Sequence, residues 1–271
     1  MAAPTLGTLT TEINSSLRPI IVDAPPVNPS PNGLWAATTW TDIPADQPSR
    51  FLTGVLLRQR NFDGLNAAGI WGAHWCANPD DLTDDDIKDG FRTPDLLPFD
   101  AYTMWGYDEC DLTAPSRTEV RERAAQALKL NEQQMLEREF AARLLADAGT
   151  PATAPSITKA VGRLEGHLAN AGLVGVIHAG AHWAAPLAEA NLLRPNGSGY
   201  RSPMGHLWVL GGGYVDGLTE TLVATAPVYG WRDQPTVRTT VKADHNLFVA
   251  VAERSIALAY EHSHGAVAIT G

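Results

Sequence analysis

"YDECDLTAPSRTEVRERAAQALKLNEQQMLEREF", residues 107–140, joins an aromatic-rich strand to a long helix, and that junction decides the architecture. The strand half reaches back to Ala101, since "AYTMWGYDEC" (101–110) sets aromatic and aliphatic residues in partial alternation. On the helical side Ser116 and Glu119 have the spacing of a capping box, and no Gly or Pro follows until Gly149. About thirty residues at 1.5 Å rise make a rod roughly 45 Å long. Val120, Ala124, Ala127 and Leu128 form an apolar stripe that Met135, Leu136, Phe140 and Leu144 continue, with charges elsewhere. Such a rod lies on a sheet.

Upstream, residues 1–50 read as an extended arm. "RPIIVDAPPVNPSPNGLW" (18–35) carries Pro19, Pro25, Pro26, Pro29 and Pro31, which hold the backbone open and bar it from a central strand. Ile20, Ile21, Val22, Trp35 and Trp40 give the arm apolar surface to lay on something else. "FLTGVLLR" (51–58) reads as a second strand, partner to 101–110. Between them runs an excursion of about forty residues containing "NPDDLTDDDIKDGFRTPD" (78–95), acidic and rich in turn formers. Its length and polarity predict a projecting segment that becomes ordered on contact with another surface.

Downstream, Ser156 opens a second helix, "SITKAVGRLEGHLANAG". There follow a strand "LVGVIHA", a helix "HWAAPLAEANLL", a loop "RPNGSGYRSPMG", and strands "HLWVLGGGYV", "ETLVATAPVYGWR" and "TVRTTVKAD". A long strand or pair, "NLFVAVAERSIALAYEHSHGAVAI", ends the chain. The class is α+β, without internal repeat. The 271 residues, 44% hydrophobic and 18% charged, suffice for one large domain or two small ones. A net charge of −10 argues against a general affinity for nucleic-acid phosphates. Cys76 and Cys110 cannot make a disulfide framework, and "MAAPTLGTLTTEINSS" lacks the pattern of a signal peptide, which favours the cytoplasm. Residues 167–188 carry no formal charge, but Gly172, Gly175, Gly180, Pro186, Asn170 and three histidines argue against a membrane span.

The inventory for catalysis is poor. His178 and His182 are four apart, yet one ends a strand and the other starts a helix, and no Glu follows the first as in HExxH. A metal-dependent hydrolase using His178, His182 and His206 is the rival from another functional class. "EHSHGA" supplies His262 and His264 with only Glu261 nearby and reads as an exposed turn, and "HWC" sets His74 beside Cys76 without a thiol-protease signature. "LGGGYV" (210–215) lacks the Lys and Ser/Thr of a phosphate loop and is not expected to lead into a helix, so it reads as a turn or bulge. No cofactor or metal is expected.

The order of parts resembles the major capsid protein of tailed bacteriophages, the Hong Kong 97-type fold, over roughly residues 40–271. "YDECDLTAPSRTEVRERAAQALKLNEQQMLEREF" resembles the strand-to-spine transition of actinobacterial phage capsid proteins. "GVIHAGAHWAAPLAEANLL" with "RSPMGHLWVLGGGY" resembles their A-domain, and "NLFVAVAERSIALAYEHSHGAVAI", with its embedded Glu-Arg, resembles the final P-domain strands. The resemblance implies an N-terminal arm (1–50), an E-loop with flanking strands (51–112), a P-domain spine helix (113–150), a segment that is mainly A-domain (151–240) and terminal P-domain strands (241–271). It implies a shell subunit without catalytic activity, assembling with itself as hexamers and pentamers in the bacterial host cytoplasm and residing in the virion capsid. A portal and a separate scaffold protein are the expected partners, since the chain starts close to the arm; packaged double-stranded DNA is met only indirectly. An encapsulin compartment is the nearest rival, against which the Pro-rich arm argues.

Some members of that family join an E-loop lysine to a neighbour's asparagine with a glutamate as base. The corresponding candidates are Lys88, the only lysine of the excursion, with Asn246 and Glu253. That chemistry requires burial of the lysine and a carboxylate within reach of its proton. Lys88 within "DDDIKDG" reads more simply as a solvated charge.

Overall fold

The computed structural model describes residues 24–61, 68–90 and 94–271. The apolar group Ile20, Ile21 and Val22 falls outside the described residues, as do 62–67 and 91–93 of the excursion. In chain order the first elements are α1 (Leu34–Ala37), β1 (Thr38–Asp42), β2 (Ala101–Cys110), α2 (Ala114–Ala148), β3 (Ala152–Ala154), α3 (Ile157–Asn170), β4 (Val176–Gly180) and α4 (Ala184–Glu189). Next come β5 (Arg194–Asn196), β6 (Gly199–Arg201), β7 (Leu207–Gly211), α5 (Tyr214–Gly217), β8 (Thr221–Thr225), β9 (Val228–Arg232), β10 (Thr236–Lys242), β11 (Leu247–Tyr260) and β12 (Ser263–Ile269).

Helix α2 has 35 residues, about 52 Å at the standard rise. It begins two residues before Ser116, because Pro115 fits the first turn, where no amide proton is needed. Thr113 therefore occupies the N-cap position; Ser116 Oγ meets Thr113 Oγ1 at 3.0 Å and Glu119 pairs with Arg123, so the expected capping box does not form. The helix ends at Gly149, whose φ of 68° suits glycine.

The apolar stripe of α2 covers a sheet in which the central strand β11 pairs antiparallel with β2 on one side and with β10 and then β9 on the other, and β1 adds to β9 in parallel. Strand and helix touch directly at Gly106, where a Cβ would lie 2.5 Å from the Ala124 carbonyl and the Leu128 amide. The second sheet runs β3-β12-β8-β4-β7-β6-β5 and is covered on both faces. Ile177, Leu222, Ala224 and Val267 face α3, while Val176, Val209 and Val223 belong to the core built on α2. A strand covered on both sides is buried along its whole length, and all five residues of β4 are buried, with His178 the one polar side chain among them. This layer structure also divides the uncharged stretch 167–188 among the end of α3, β4 and α4, and no helix among the described residues is long and apolar enough to cross a membrane.

Three strand expectations are corrected. Residues 51–58 form a tight turn over Arg50–Thr53 and one bridge, Val55 to Phe99, not a strand. Gly54 at φ 94° breaks the extension, and Pro98 cannot donate to a ladder. "ETLVATAPVYGWR" is two strands in two sheets, divided at Ala226–Pro227, and part of the loop 194–205 is the small hairpin β5–β6. The sheets also cross residue 240 in both directions: β9 and β10 join β11 in the first, and β12 joins the second.

Candidate functional site

Two polar residues on the buried side of α2, Glu137 and Gln133, hold distant segments of the chain. Glu137, fully buried, accepts the Leu34 amide on Oε1 and the Gly213 amide on Oε2, both at 2.9 Å. Burial raises its pKa, and the bonds from Leu34, Gly213 and Gly212 oppose that shift. Gln133 accepts the Trp35 amide at 3.2 Å and donates to the Ser30 carbonyl at 3.3 Å. Further toward the helix start, Lys129 Nζ donates to Asn28 Oδ1 and Gln126 Nε2 to the Val27 carbonyl, each at 2.8 Å. The described part of the arm is thus laid along α2 by a row of side chains one turn apart.

The glycine run 211–213 finds its role here. Contrary to expectation a helix does follow it, the single turn α5, and the anion at its amides is the chain's own Glu137 carboxylate. The close approach demands glycine: a Cβ on Gly213 would lie 2.1 Å from the Gln134 carbonyl. The sequence signal was a glutamate at the i−3 position from Phe140, on the buried stripe.

A second node couples α2 to β11. Arg254 Nη1 lies 3.2 Å from both carboxylate oxygens of Glu132, and both side chains are largely buried. Burial raises the Glu132 pKa against the pull of Arg254 and Arg232. Neighbouring Arg232 is stacked over Trp40 at 4.5 Å and pairs with Asp42 at 2.6 Å, fixing β1.

The excursion is clamped at its base and bare at its tip. Arg143 on α2 donates to the Leu97 and Pro98 carbonyls at 2.7 and 2.9 Å and lies 4.0 Å over Phe99. Glu261 accepts from the Arg60 amide at 3.1 Å and from Asn61 Nδ2 at 2.7 Å. The turn around "EHSHGA" is therefore not the exposed one expected: Glu261 and His264 are buried where the chain passes from one sheet to the other. Beyond these clamps Ile70 is 95% exposed and Trp75 85%, and at the Arg143 clamp itself the Leu97 side chain is 79% exposed.

The candidate cross-link residues are spread apart. Lys88 is exposed in the excursion with Nζ 4.7 Å over the Trp71 ring. Asn246 sits in the left-handed conformation in the turn between β10 and β11, and Glu253 lies within β11, paired with Arg238 at 2.9 Å. Seven residues of one strand separate those two, about 23 Å.

The histidines do not converge. His178 is fully buried between Tyr214 Oη, 3.1 Å from Nδ1, and Thr225 Oγ1, 2.9 Å from Nε2. Thr225 gives its proton to the Ala226 carbonyl, so Nε2 donates and Nδ1 accepts from Tyr214. The neutral ring is fully satisfied, and burial pushes its pKa down to about 3. His182 faces Glu220 at 4.0 Å, and His206 Nδ1 accepts the Gly175 amide at 3.3 Å. His74 accepts the Cys76 amide and so does not act on the thiol. Among the described residues no group of three or more His, Cys, Asp or Glu is placed to hold a metal.

No family model and no curated protein matches the chain. Solved structures do. One from Mycobacterium phage Adephagia is 12% identical, covers 98% of both chains and has a TM-score of 0.55. One from Mycobacterium phage Bobi is 13% identical over 96% of this chain and 98% of that one, also with a TM-score of 0.55. The capsid of an empty GTA particle is 9% identical over 98% of this chain and 99% of that one, with a TM-score of 0.50. Over nearly its whole length the chain has the fold of these phage and capsid structures, a mixed architecture of helix and sheet.

Proposed function

We propose that the chain is a structural major capsid protein, which self-assembles into the icosahedral head shell enclosing phage double-stranded DNA. The observation that carries this reading is the agreement in fold with phage and capsid structures along nearly the full chain. The physics of the single chain supports it. An excursion with clamped ends and bare Ile70, Trp75 and Leu97 is a liability in isolation and a contact surface in a shell.

In this reading the parts are those of the Hong Kong 97-type fold: arm 1–50, E-loop 51–112, spine helix 113–150, a mainly A-domain segment 151–240 and terminal P-domain strands 241–271. In space, β9 and β10 would then serve the P-domain and β12 the A-domain. Hexamers and pentamers are the assembly units, a portal and a separate scaffold protein the further partners, the host cytoplasm the place of assembly, and the virion capsid the destination. The chain acts through broad surfaces and carries no catalytic centre.

The test is sedimentation and negative-stain microscopy of the expressed chain, alone and with its neighbouring genes. Closed shells are expected; a species no larger than a few copies of the 29.0 kDa chain under every condition would overturn the reading. Nuclease-protected double-stranded DNA inside particles from infected cells separates a virion shell from a compartment for protein cargo.

A further inference from the structure

The two legs of the excursion are held by different side chains, and both holds lead back to one dipeptide at the end of β11. The outgoing leg, 54–61, is held by Glu261, which accepts the Arg60 amide and Asn61 Nδ2. The return leg, 94–99, is held by Arg143, which donates to the Leu97 and Pro98 carbonyls. Arg143 is oriented in turn by Asp147, whose Oδ2 accepts Arg143 Nε at 2.7 Å and the Tyr260 hydroxyl at 2.7 Å. Tyr260 is fully buried, and its ring meets Phe99 of the return leg edge to face at 5.1 Å. A continuous polar path thus runs from Asn61 through Glu261 and Tyr260 to Asp147, Arg143 and Pro98.

No ladder zips the legs together, since Pro94 and Pro98 lack amide protons and Gly54 breaks the extension. Among the described residues they are joined directly at two places. One is the Val55 to Phe99 bridge, with bonds of 2.9 and 2.8 Å. The other is buried Gln59, whose amide donates to Asp95 Oδ1 at 2.9 Å and whose side chain donates to the Pro94 carbonyl at 3.1 Å. The dipeptide also stands where the chain changes sheets: the next residue, His262, accepts the Ala226 amide at 3.0 Å, so the two crossings are bonded to each other.

We infer that the two legs open and close as one cooperative unit, latched by Tyr260 and Glu261. Freeing 60–61 alone would strand the buried Glu261 carboxylate without its donors and pull on Gln59, which grips the return leg. Freeing 97–99 alone would break both bonds to Val55 and take Phe99 off the Tyr260 ring. The excursion is therefore either set or released, and no state is held by one leg. The latch belongs to the single chain, so its failure would leave the proposed function standing.

Hydrogen exchange of the unassembled full chain tests it. In rising urea below global unfolding, the Val55, Gln59, Arg60 and Phe99 amides should converge on one opening equilibrium, ahead of the amides of α3. Separate openings for the two legs, or opening only together with α3, would overturn the inference. Two variants then probe the latch from each end. Glu261→Gln alters only the outgoing hold, and Tyr260→Phe keeps the ring and removes only the hydroxyl on the return side. Each should speed exchange at all four amides by the same factor, about tenfold or more. A variant that speeds only its own leg would contradict the coupling. Should either variant fail to fold, the urea series on the parent decides alone.

Discussion

His178 shows how one side chain sets a pH dependence. The unfolded ring, with an ordinary pKa near 6.5, takes up a proton as the pH falls below that value, whereas the folded ring holds out to about 3. Stability from the neutral ring is therefore complete above pH 6.5 and is lost below it at about 1.4 kcal/mol per pH unit, about 2 kcal/mol by pH 5. Denaturant unfolding of the unassembled chain should show that slope, and His178→Gln should flatten it by one proton's worth; an unchanged slope would contradict the assignment. Glu137 offers a second test. In Glu137→Gln one amide hydrogen faces the Leu34 or Gly213 amide, donor against donor, at a cost of about 1–3 kcal/mol. The variant should also be cut faster by protease within residues 24–37 than the parent. That Glu137 lies one turn from Phe140 was legible, although charges were expected off the apolar stripe and its burial was missed. Its partners, 103 and 76 residues away, were not legible, because helical periodicity says which face is covered and not by what.

At the scale of elements, α2 and β11 are joined by one buried ion pair. Arg254→Met alone leaves the Glu132 carboxylate buried without its cation and should cost about 3–5 kcal/mol, whereas Glu132→Leu with Arg254→Met should cost much less. A urea double-mutant cycle measures the difference, and additive costs would refute the coupling. The same pair explains the Glu-Arg embedded in β11: on adjacent positions of a strand, Glu253 faces Arg238 outside and Arg254 faces α2 inside. Elements with long periodic patterns, such as β2, α2, α3 and β11, were legible in the sequence. Short ones were misread where a single residue overrode the pattern: Gly54 ended a strand before it formed, Pro227 split one run between two sheets, and Pro115 moved the start of α2.

At the scale of the molecule, the chain folds around two cores, one built on α2 and one on α3, that meet at the second sheet, and leaves Ile70, Trp75 and Leu97 outside both. The pattern of clamps says that this is deliberate, since Arg143 and Glu261 fix where the excursion leaves and returns. The excursion was legible as too long and too acidic for a connection; its clamps were not, because apart from the Asn61 side chain the groups held are backbone carbonyls and an amide that any residue supplies. The separation of Asn246 from Glu253, and the engagement of Glu253 by Arg238, lead to a further expectation: shells boiled in denaturant run on a gel as 29.0 kDa chains, and a ladder of multiples would contradict it. The central claim is that Ile70, Trp75 and Leu97 are covered by sister copies. Electron cryomicroscopy of the assembled particle tests it most directly: the account predicts all three packed against a neighbouring subunit in a closed shell, and a shell in which they face solvent would contradict it.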